Sequence, residues 1–411
     1  MSIVKRHSQV NLIMTKPIVV ITGADTPTGL TTVRSLRDYP VEVWGVAENQ
    51  NSACCKSRYW SYIETLDSNP EEQFRVLVEL GHRAFKKSGQ KPLLLFSQDE
   101  WVLRASECRE SLCDTFMVIL PDHKNVVKLM DKSLFHEWAL SREYPLPKSL
   151  TADNKEDLCH AASQMRPPFI VKPMVRTRSW DDIYVNQKFI KCCNNVDVLE
   201  LQKNAERLME LSVHYVLQEW IAGDDSDVVF CLMCADKDGH ILDAFTGRKL
   251  WQWPPLGGST AICTNFDNPE IERISRDLMT EAGFKGLGSV EFKFNRNTQT
   301  YQITEPTIGR NNYQSRIAVC AGHNLTGRLL ESAFAFPESR KIPSRRAIWV
   351  DELGAYERSK VEKNGMLKLS RWGVRYFMAR KCFLFADLRD LKPAIVRLRG
   401  LLSKRIGSYA S

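Results

Sequence analysis

Over the first 120 residues, short apolar runs alternate with helix-like stretches, and this alternation narrows the fold more than any other feature of the chain. Ile18 to Ile21 reads as a strand ending in the turn Gly23 to Gly29. A helix follows through Val33 and Leu36, and Val41 to Val46 reads as the next strand. A further unit places Phe74, Val76, Leu77 and Leu80 on a helix and Leu93 to Phe96 on a strand. Each crossover helix returns the chain to the same end of the sheet, so repeated βαβ units give parallel strands with helices packed on their faces. Ser97, Gln98, Asp99 and Glu100 follow the last of these strands, at the edge where open α/β sheets bind ligands.

The pattern changes near Pro121. A helix over Asp131 to Leu140 ends before Pro145 and Pro147, and Phe169-Ile170-Val171 is a strand closed by Lys172-Pro173. Strands then dominate, at Val213 to Gln218, Val228 to Met233, Ile241 to Phe245, Val290 to Phe294 and Tyr301 to Thr304. Helices are expected near Leu199 to Leu211 and Ile271 to Ala282. The expected class is α/β followed by α+β. A length of 411 residues suits two or three domains, here 1–120, 121–335 and a basic, partly helical extension over 336–411.

Composition excludes several classes. At 43% apolar and 26% charged the chain is globular. No uncharged apolar stretch approaches the roughly 18 to 20 residues that a bilayer crossing needs, and Met1 to Lys16 lacks the apolar segment of a signal peptide. The expected location is cytoplasmic. The twelve cysteines are then expected to be reduced, and the lone Cys231-Leu-Met-Cys234 lies in a strand with no second pair to complete a zinc site. Charge is uneven: Ala355 to Ser411 holds 14 Lys or Arg against 4 Asp or Glu, while the first 354 residues hold 43 against 45. The net +8 therefore belongs to the tail.

Two motifs invite chemistry. The turn from Gly23 to Gly29 fits neither the P-loop, whose lysine is replaced by Leu30, nor the dinucleotide fingerprint, so it reads as a structural βα turn. The second is a pair of carboxylates. In Gly288 to Asn295, Val290, Phe292 and Phe294 share one face, and Glu291 and Lys293 share the other. If the following turn is a hairpin centred on Thr298, Asn295 faces Tyr301 and Glu291 faces Glu305, with Cβ atoms about 4.5 to 5.5 Å apart. Like charges so placed repel unless a cation joins them, and two carboxylates suit Mg²⁺ with substrate phosphates completing its shell. A register shifted by a residue or two leaves both glutamates merely solvated.

Taken in order, Lys132 in Met-Asp-Lys-Ser-Leu, Lys172 in Phe-Ile-Val-Lys-Pro, Gln218-Glu219-Trp220-Ile221, Glu291 and Glu305 resemble the ATP-grasp superfamily of carboxylate–amine ligases. The resemblance spans Pro17 to Leu330, with the first 120 residues similar to the Rossmann-like preATP-grasp domain. It implies that Lys132 and Lys172 contact ATP phosphates, that Gln218, Glu219, Trp220 and Ile221 border the adenine, and that Glu291 and Glu305 hold Mg²⁺. One position departs: the family's Glu-x-Asn is here Glu305-Pro306-Thr307, so the second metal contact falls to Thr307 or to Asn311 or Asn312. Arg310 would suit a phosphoryl group or substrate carboxylate, Lys249 would reach the phosphates, and Gly257-Gly258-Ser259-Thr260 is a covering loop or a turn.

The resemblance thus implies an ADP-forming ligase using ATP and Mg²⁺, with a small-molecule carboxylate and an amine as substrates. The alternatives are a catalytically inactive nucleotide-binding protein, which Thr307 favours, and a nicotinamide-dependent reductase built on the first βαβ units. In the tail, Leu388, Leu391, Ile395, Leu398, Leu402 and Ile406 recur at helical steps among Arg and Lys. The favoured reading docks this helix on the body through its apolar stripe; the other lays it on an anionic membrane surface. No recognition motif points to nucleic acid.

Overall fold

The computed structural model describes residues 15–67, 69–174, 177–184, 189–255, 257–340 and 342–409, and from 404 onward the backbone alone. Among these residues the strands form three sheets. The first contains β1 (Ile18–Thr22), β2 (Glu42–Ala47), β3 (Tyr62–Thr65), β4 (Leu93–Leu95) and β5 (Met117–Val118), all parallel, in the order β3-β2-β1-β4-β5. Chain order reverses between β1 and β4, and at such a switch point the two following loops diverge and leave a crevice. Neither of the short strands β3 and β5 was among the expected strands, although β5 lies within the apolar run Phe116 to Leu120. In the turn after β1, Gly23 has φ +65°, and a Cβ there would lie 2.3 Å from Ser97 Oγ. Thr26 then caps the helix Pro27–Ser35 by accepting from Gly29 N.

The second sheet is β6 (Ser149–Ala152), β7 (Phe169–Pro173), β8 (Ile190–Cys192) and β9 (Tyr215–Glu219), antiparallel in the order β6-β9-β7-β8. Phe169, Val171, Tyr215 and Leu217 point to its helical side and bury with Leu158, Trp180 and Leu208. The alternate residues, Ile170, Lys172, Val216 and Gln218, therefore face the other way.

The third sheet comprises β10 (Val228–Ala235), β11 (Ile241–Trp253), β12 (Ser259–Asn265), β13 (Gly286–Asn295), β14 (Thr300–Ile308), β15 (Ala347–Val350) and β16 (Arg380–Phe383). Its order is β14-β13-β10-β11-β12-β15-β16, antiparallel except for the last pair. Both faces of β10 are covered: Val229, Cys231 and Met233 join one core, and Phe230, Leu232 and Cys234 join another. Strand periodicity thus separates Cys231 from Cys234.

The stretch 336–411, expected as a basic helical tail, is in part integral to this sheet, because β15 and β16 extend it. Segment 384–390 then clasps the helix Pro27–Ser35. Arg34 Nε lies 2.8 Å from Asp390 Oδ2, both side chains fully buried, and the remaining guanidinium nitrogens donate to the carbonyls of Leu384, Phe385 and Asp390. Asp390 also accepts from Ser57 Oγ and Arg58 N, so the pair is saturated with hydrogen bonds. The docking expected for the final helix, Lys392–Tyr409, holds in part among its described side chains, with Val396 half-buried and Arg397 over the Phe385 ring. Pro393 and Ala394 pack in its first turn, but Ile395, Leu398, Leu401 and Leu402 are exposed. The clasp at Asp390 lies two residues before the helix begins. Among the described residues no helix is long and apolar enough to cross a membrane.

Removing one member of a saturated buried pair strands the other without compensation. Asp390→Ala should lower stability by about 3 to 5 kcal/mol, read from the urea midpoint. The double variant Arg34→Met/Asp390→Leu should recover part of that loss, because it strands no charge.

Candidate active site

The carboxylate pair is built by an irregularity in the hairpin of β13 and β14. Next to the turn the register is Asn295 with Thr300, Phe294 with Tyr301, Lys293 with Gln302 and Phe292 with Ile303. One residue, Thr304, is then extra, and beyond it Glu291 faces Glu305, Val290 faces Pro306 and Ser289 faces Thr307. The expected Glu291–Glu305 pair is present, but the expected Asn295–Tyr301 pair is not, since the hairpin turn is one residue tighter. Thr304 Oγ1 donates to Glu291 O at 3.1 Å, which ties the bulge to the opposite strand. The bulge reverses the facing of everything after it. Ile303 and Ile308, five apart, lie in the same core with Val290 and Phe292, and Glu305 moves to the face of Glu291. Pro306 costs no ladder bond that a central strand would need, because β14 is an edge.

That face borders a cavity of about 490 Å³ lined by Lys132, Lys172, Gln218, Glu219, Trp220, Ile221, Lys249, Glu291, Glu305, Thr307 and Arg310, but not by Asn311. A second lobe of similar volume shares Lys132, Lys172, Gln218, Glu305 and Arg310 and reaches Asp99 and His136. Of the two asparagines offered as a replacement metal ligand, only Asn312 lines the cavity, where its Oδ1 accepts from Ser289 Oγ at 3.0 Å. Asn311 is corrected: it is buried, and its amide donates to Thr32 and Thr326 hydroxyls, because the chain turns inward after β14.

The cations come from three directions. Lys249, nearly buried on β11, places Nζ 2.6 Å from Glu291 Oε2, so it partners the carboxylate rather than standing free. Lys132 opens the helix Lys132–Ser141, whose start is fixed by Asp131 accepting from Ser133 N and Leu134 N. Lys172, facing the cavity by the period of β7, donates to Gln218 Oε1 at 3.0 Å, and Gln218 in turn donates to Ser149 Oγ at 3.1 Å. Burial, reinforced by the Lys132 charge and partly opposed by Glu305, pulls the Lys172 ammonium down to about 8. Arg310 bridges β4 and β14: its backbone pairs with Phe96, and its fork grips Asp99 at 2.6 and 2.8 Å. The Arg310 guanidinium is therefore already engaged by a carboxylate from the first sheet.

At the other end the wall is apolar and aromatic. Ile170, Phe189, Trp220, Ile221 and Val228 line it, and the backbone N–H groups of Glu219 and Trp220 donate to Lys148 O and Pro168 O. The Trp220 ring carries the ammonium groups of Lys191 and Lys293 at 4.1 and 4.4 Å. The Gly257 to Thr260 stretch forms a turn entering β12 at the cavity rim, with Gly258 N donating to Pro254 O. Sequence reasoning missed Thr28, Phe189, Val228, Lys293 and Tyr313. Of these only Lys293, two residues after Glu291 on the same face of a recognised strand, carried a usable signal.

No protein-family model matches the sequence, and no curated protein matches it. The fold does have solved counterparts. An N5-carboxyaminoimidazole ribonucleotide synthetase in its ADP complex is 12% identical over 87% of this chain and 86% of its own, with a TM-score of 0.64. An N5-carboxyaminoimidazole synthetase from Staphylococcus aureus complexed with ADP is 13% identical over 82% of both chains, at 0.60. The biotin carboxylase domain of a Hydrogenobacter thermophilus 2-oxoglutarate carboxylase, solved with MgADP, ADP and bicarbonate, is 12% identical over 79% of this chain and 71% of that one, also at 0.60. Likeness at such identities is a likeness of fold. The fold is the ATP-grasp fold that the ordered motifs implied.

Lys172 provides a test of this electrostatics that needs no ligand. It titrates near 8 in the folded chain and near 10.5 when unfolded. Between those values the unfolded chain holds the extra proton, so stability rises with pH; below 8 both states are charged and the slope vanishes. Across pH 7.5 to 9.5, wild type should gain about 1 to 2 kcal/mol relative to Lys172→Met, measured as urea midpoints. Parallel curves would remove the buried charge from the site.

Proposed function

We propose that this protein is an ATP-dependent, ADP-forming ligase that activates a substrate carboxylate as an acyl phosphate and joins it to an amine or similar nucleophile. The observation that carries the reading is the bulge at Thr304, which turns Glu305 onto the face of Glu291 in a cavity shared with Lys132, Lys172 and Lys249. The first-sheet crevice, reached through Asp99 and Arg310, offers the acid and the nucleophile a place beside the phosphates.

The donor set fits magnesium. Glu291, Glu305 and the Asn312 amide are hard oxygen donors; of the two opposed carboxylates Glu291 has the Lys249 ammonium at 2.6 Å, and Glu305 acts on the Lys172 charge from farther off. Bound there, the ion would neutralise charge on the phosphate oxygens. The protein's own groups do the rest. The apolar slot around Ile170, Phe189 and Ile221 takes the base, with the Glu219 carboxylate available to the exocyclic amine, and Lys132 and Lys172 take the phosphates. An oxygen of the substrate carboxylate attacks the γ-phosphorus, and the bond to the β–γ bridging oxygen breaks, releasing ADP. The amine nitrogen then attacks the acyl carbon, phosphate leaves with the C–O bonding pair, and the nitrogen gives up its proton. Both reactants of the first step are anions, so positioned cations lower the barrier by removing repulsion as charge gathers.

Glu305→Gln should cut magnesium-dependent ADP release by about 100- to 1,000-fold with an unchanged circular dichroism spectrum; near wild-type turnover would cancel the metal assignment. Lys172→Ala should weaken ATP binding about tenfold or more, the loss of one charge-assisted contact, and calorimetry reads this directly. Pooled carboxylates crossed with pooled amines, scored by ADP release, would identify the substrate class. Tight ATP binding with no release in any pool would mark a nucleotide-binding protein instead.

A further inference from the structure

The helix Gly365–Arg375 is apolar on two faces, and only one of them is accounted for by packing. Leu369, Trp372 and, just beyond the helix, Tyr376 pack onto Trp251, Ile262 and Ile348, with the Trp372 and Trp251 rings 4.6 Å apart. The opposite face is expected to be polar, as on any helix lying on a folded body. It instead presents Met366, Leu367 and Val374, and the turn that follows adds Phe377 and Met378; the last three side chains are 78, 72 and 91% exposed. Single exposed apolar residues are unremarkable, but five over thirteen positions on one helix and its following turn form a patch.

Within the segment that carries the patch the charges have one sign. From Lys363 to Ala386 the chain has Lys363, Lys368, Arg371, Arg375, Arg380 and Lys381 and no acidic residue. Lys368 is held by Glu362, and Lys381 Nζ donates to Phe377 O at 2.9 Å with its charge over the Phe377 ring. Lys381 therefore travels with an exposed aromatic rather than neutralising an acid. A second copy of the chain docking here about a two-fold axis would bring like charges together. A nucleic acid would satisfy the cations but offers no apolar phase to Val374 and Met378. One environment supplies both in the same few ångströms: the headgroup boundary of an anionic bilayer, where apolar side chains enter the acyl region and Lys and Arg reach back to the phosphates.

We propose that the outer face of Gly365–Arg375, with Phe377 and Met378, is a docking surface for an anionic lipid bilayer. It is distinct from the final helix, which carries its own exposed leucines and cations and adds a second weak contact of the same kind; two such signals together give stable anchoring.

The test is co-sedimentation of the full chain with vesicles of phosphatidylcholine alone or mixed with phosphatidylglycerol. Binding is expected only with the anionic lipid, weakening as salt is raised. Val374→Glu/Phe377→Glu/Met378→Glu should lower partitioning about tenfold or more, and Arg371→Glu/Arg375→Glu should do the same. All of these side chains are exposed, so ATP affinity and the circular dichroism spectrum should stay unchanged. Leu398→Glu/Leu402→Glu in the final helix should have the smaller effect. The proposal is overturned if wild type ignores anionic vesicles, or if the patch variants bind like wild type. It is equally overturned if only the final-helix variant loses binding, if the patch variants convert a dimer to monomers, or if an oligonucleotide displaces the vesicles.

Discussion

One extra residue sets the chemistry of this molecule. Side chains on a strand alternate strictly, so without the bulge at Thr304 the hairpin could not send both Ile303 and Ile308 into the core. It would also have left Glu305 on the apolar side of the sheet. Inserting Thr304 satisfies both demands at once. The apolar residues on either side stay buried, and Glu305 joins Glu291 on the open face. The resulting juxtaposition of two carboxylates is unfavourable by itself, which is why Lys249 sits 2.6 Å from one of them.

The cavity is a balance of opposed costs. Lys172 is held where its charge is disfavoured, with Lys132 worsening the position and Glu305 easing it. Glu305 on the third sheet thus favours the charged form of Lys172 on the second. A polyanion entering it relieves the repulsion between the lysines, and a divalent cation relieves that between the glutamates. Arg310, gripped by Asp99 at the cavity wall, also joins the third sheet to the carboxyl edge of the first.

That joining is repeated on the far side by the clasp of segment 384–390 on the helix Pro27–Ser35. The Arg34–Asp390 pair buries two charges with almost every donor and acceptor satisfied. Together with Arg316 and Arg37 on Asp387, it makes the late part of the chain a brace for the first sheet. The first-sheet crevice and the carboxylate hairpin are therefore held in one frame from both ends of the sequence.

Much of this was legible in the residues alone. Hydrophobic period located β1, β2, β4 and several strands of the other sheets, because it depends on neighbours within a few positions. The ordered lysines, glutamates and hinge residues likewise marked one cavity before any coordinates. What the chain by itself left undecided is long-range: the bulge at Thr304, the engagement of Arg310 by Asp99, the inward turn of Asn311, and the exposure of Ile395, Leu398 and Leu402 on the final helix. Each depends on which distant segment fills the space beside it. Local propensity carries no record of that choice; the packing of three sheets into one core makes it.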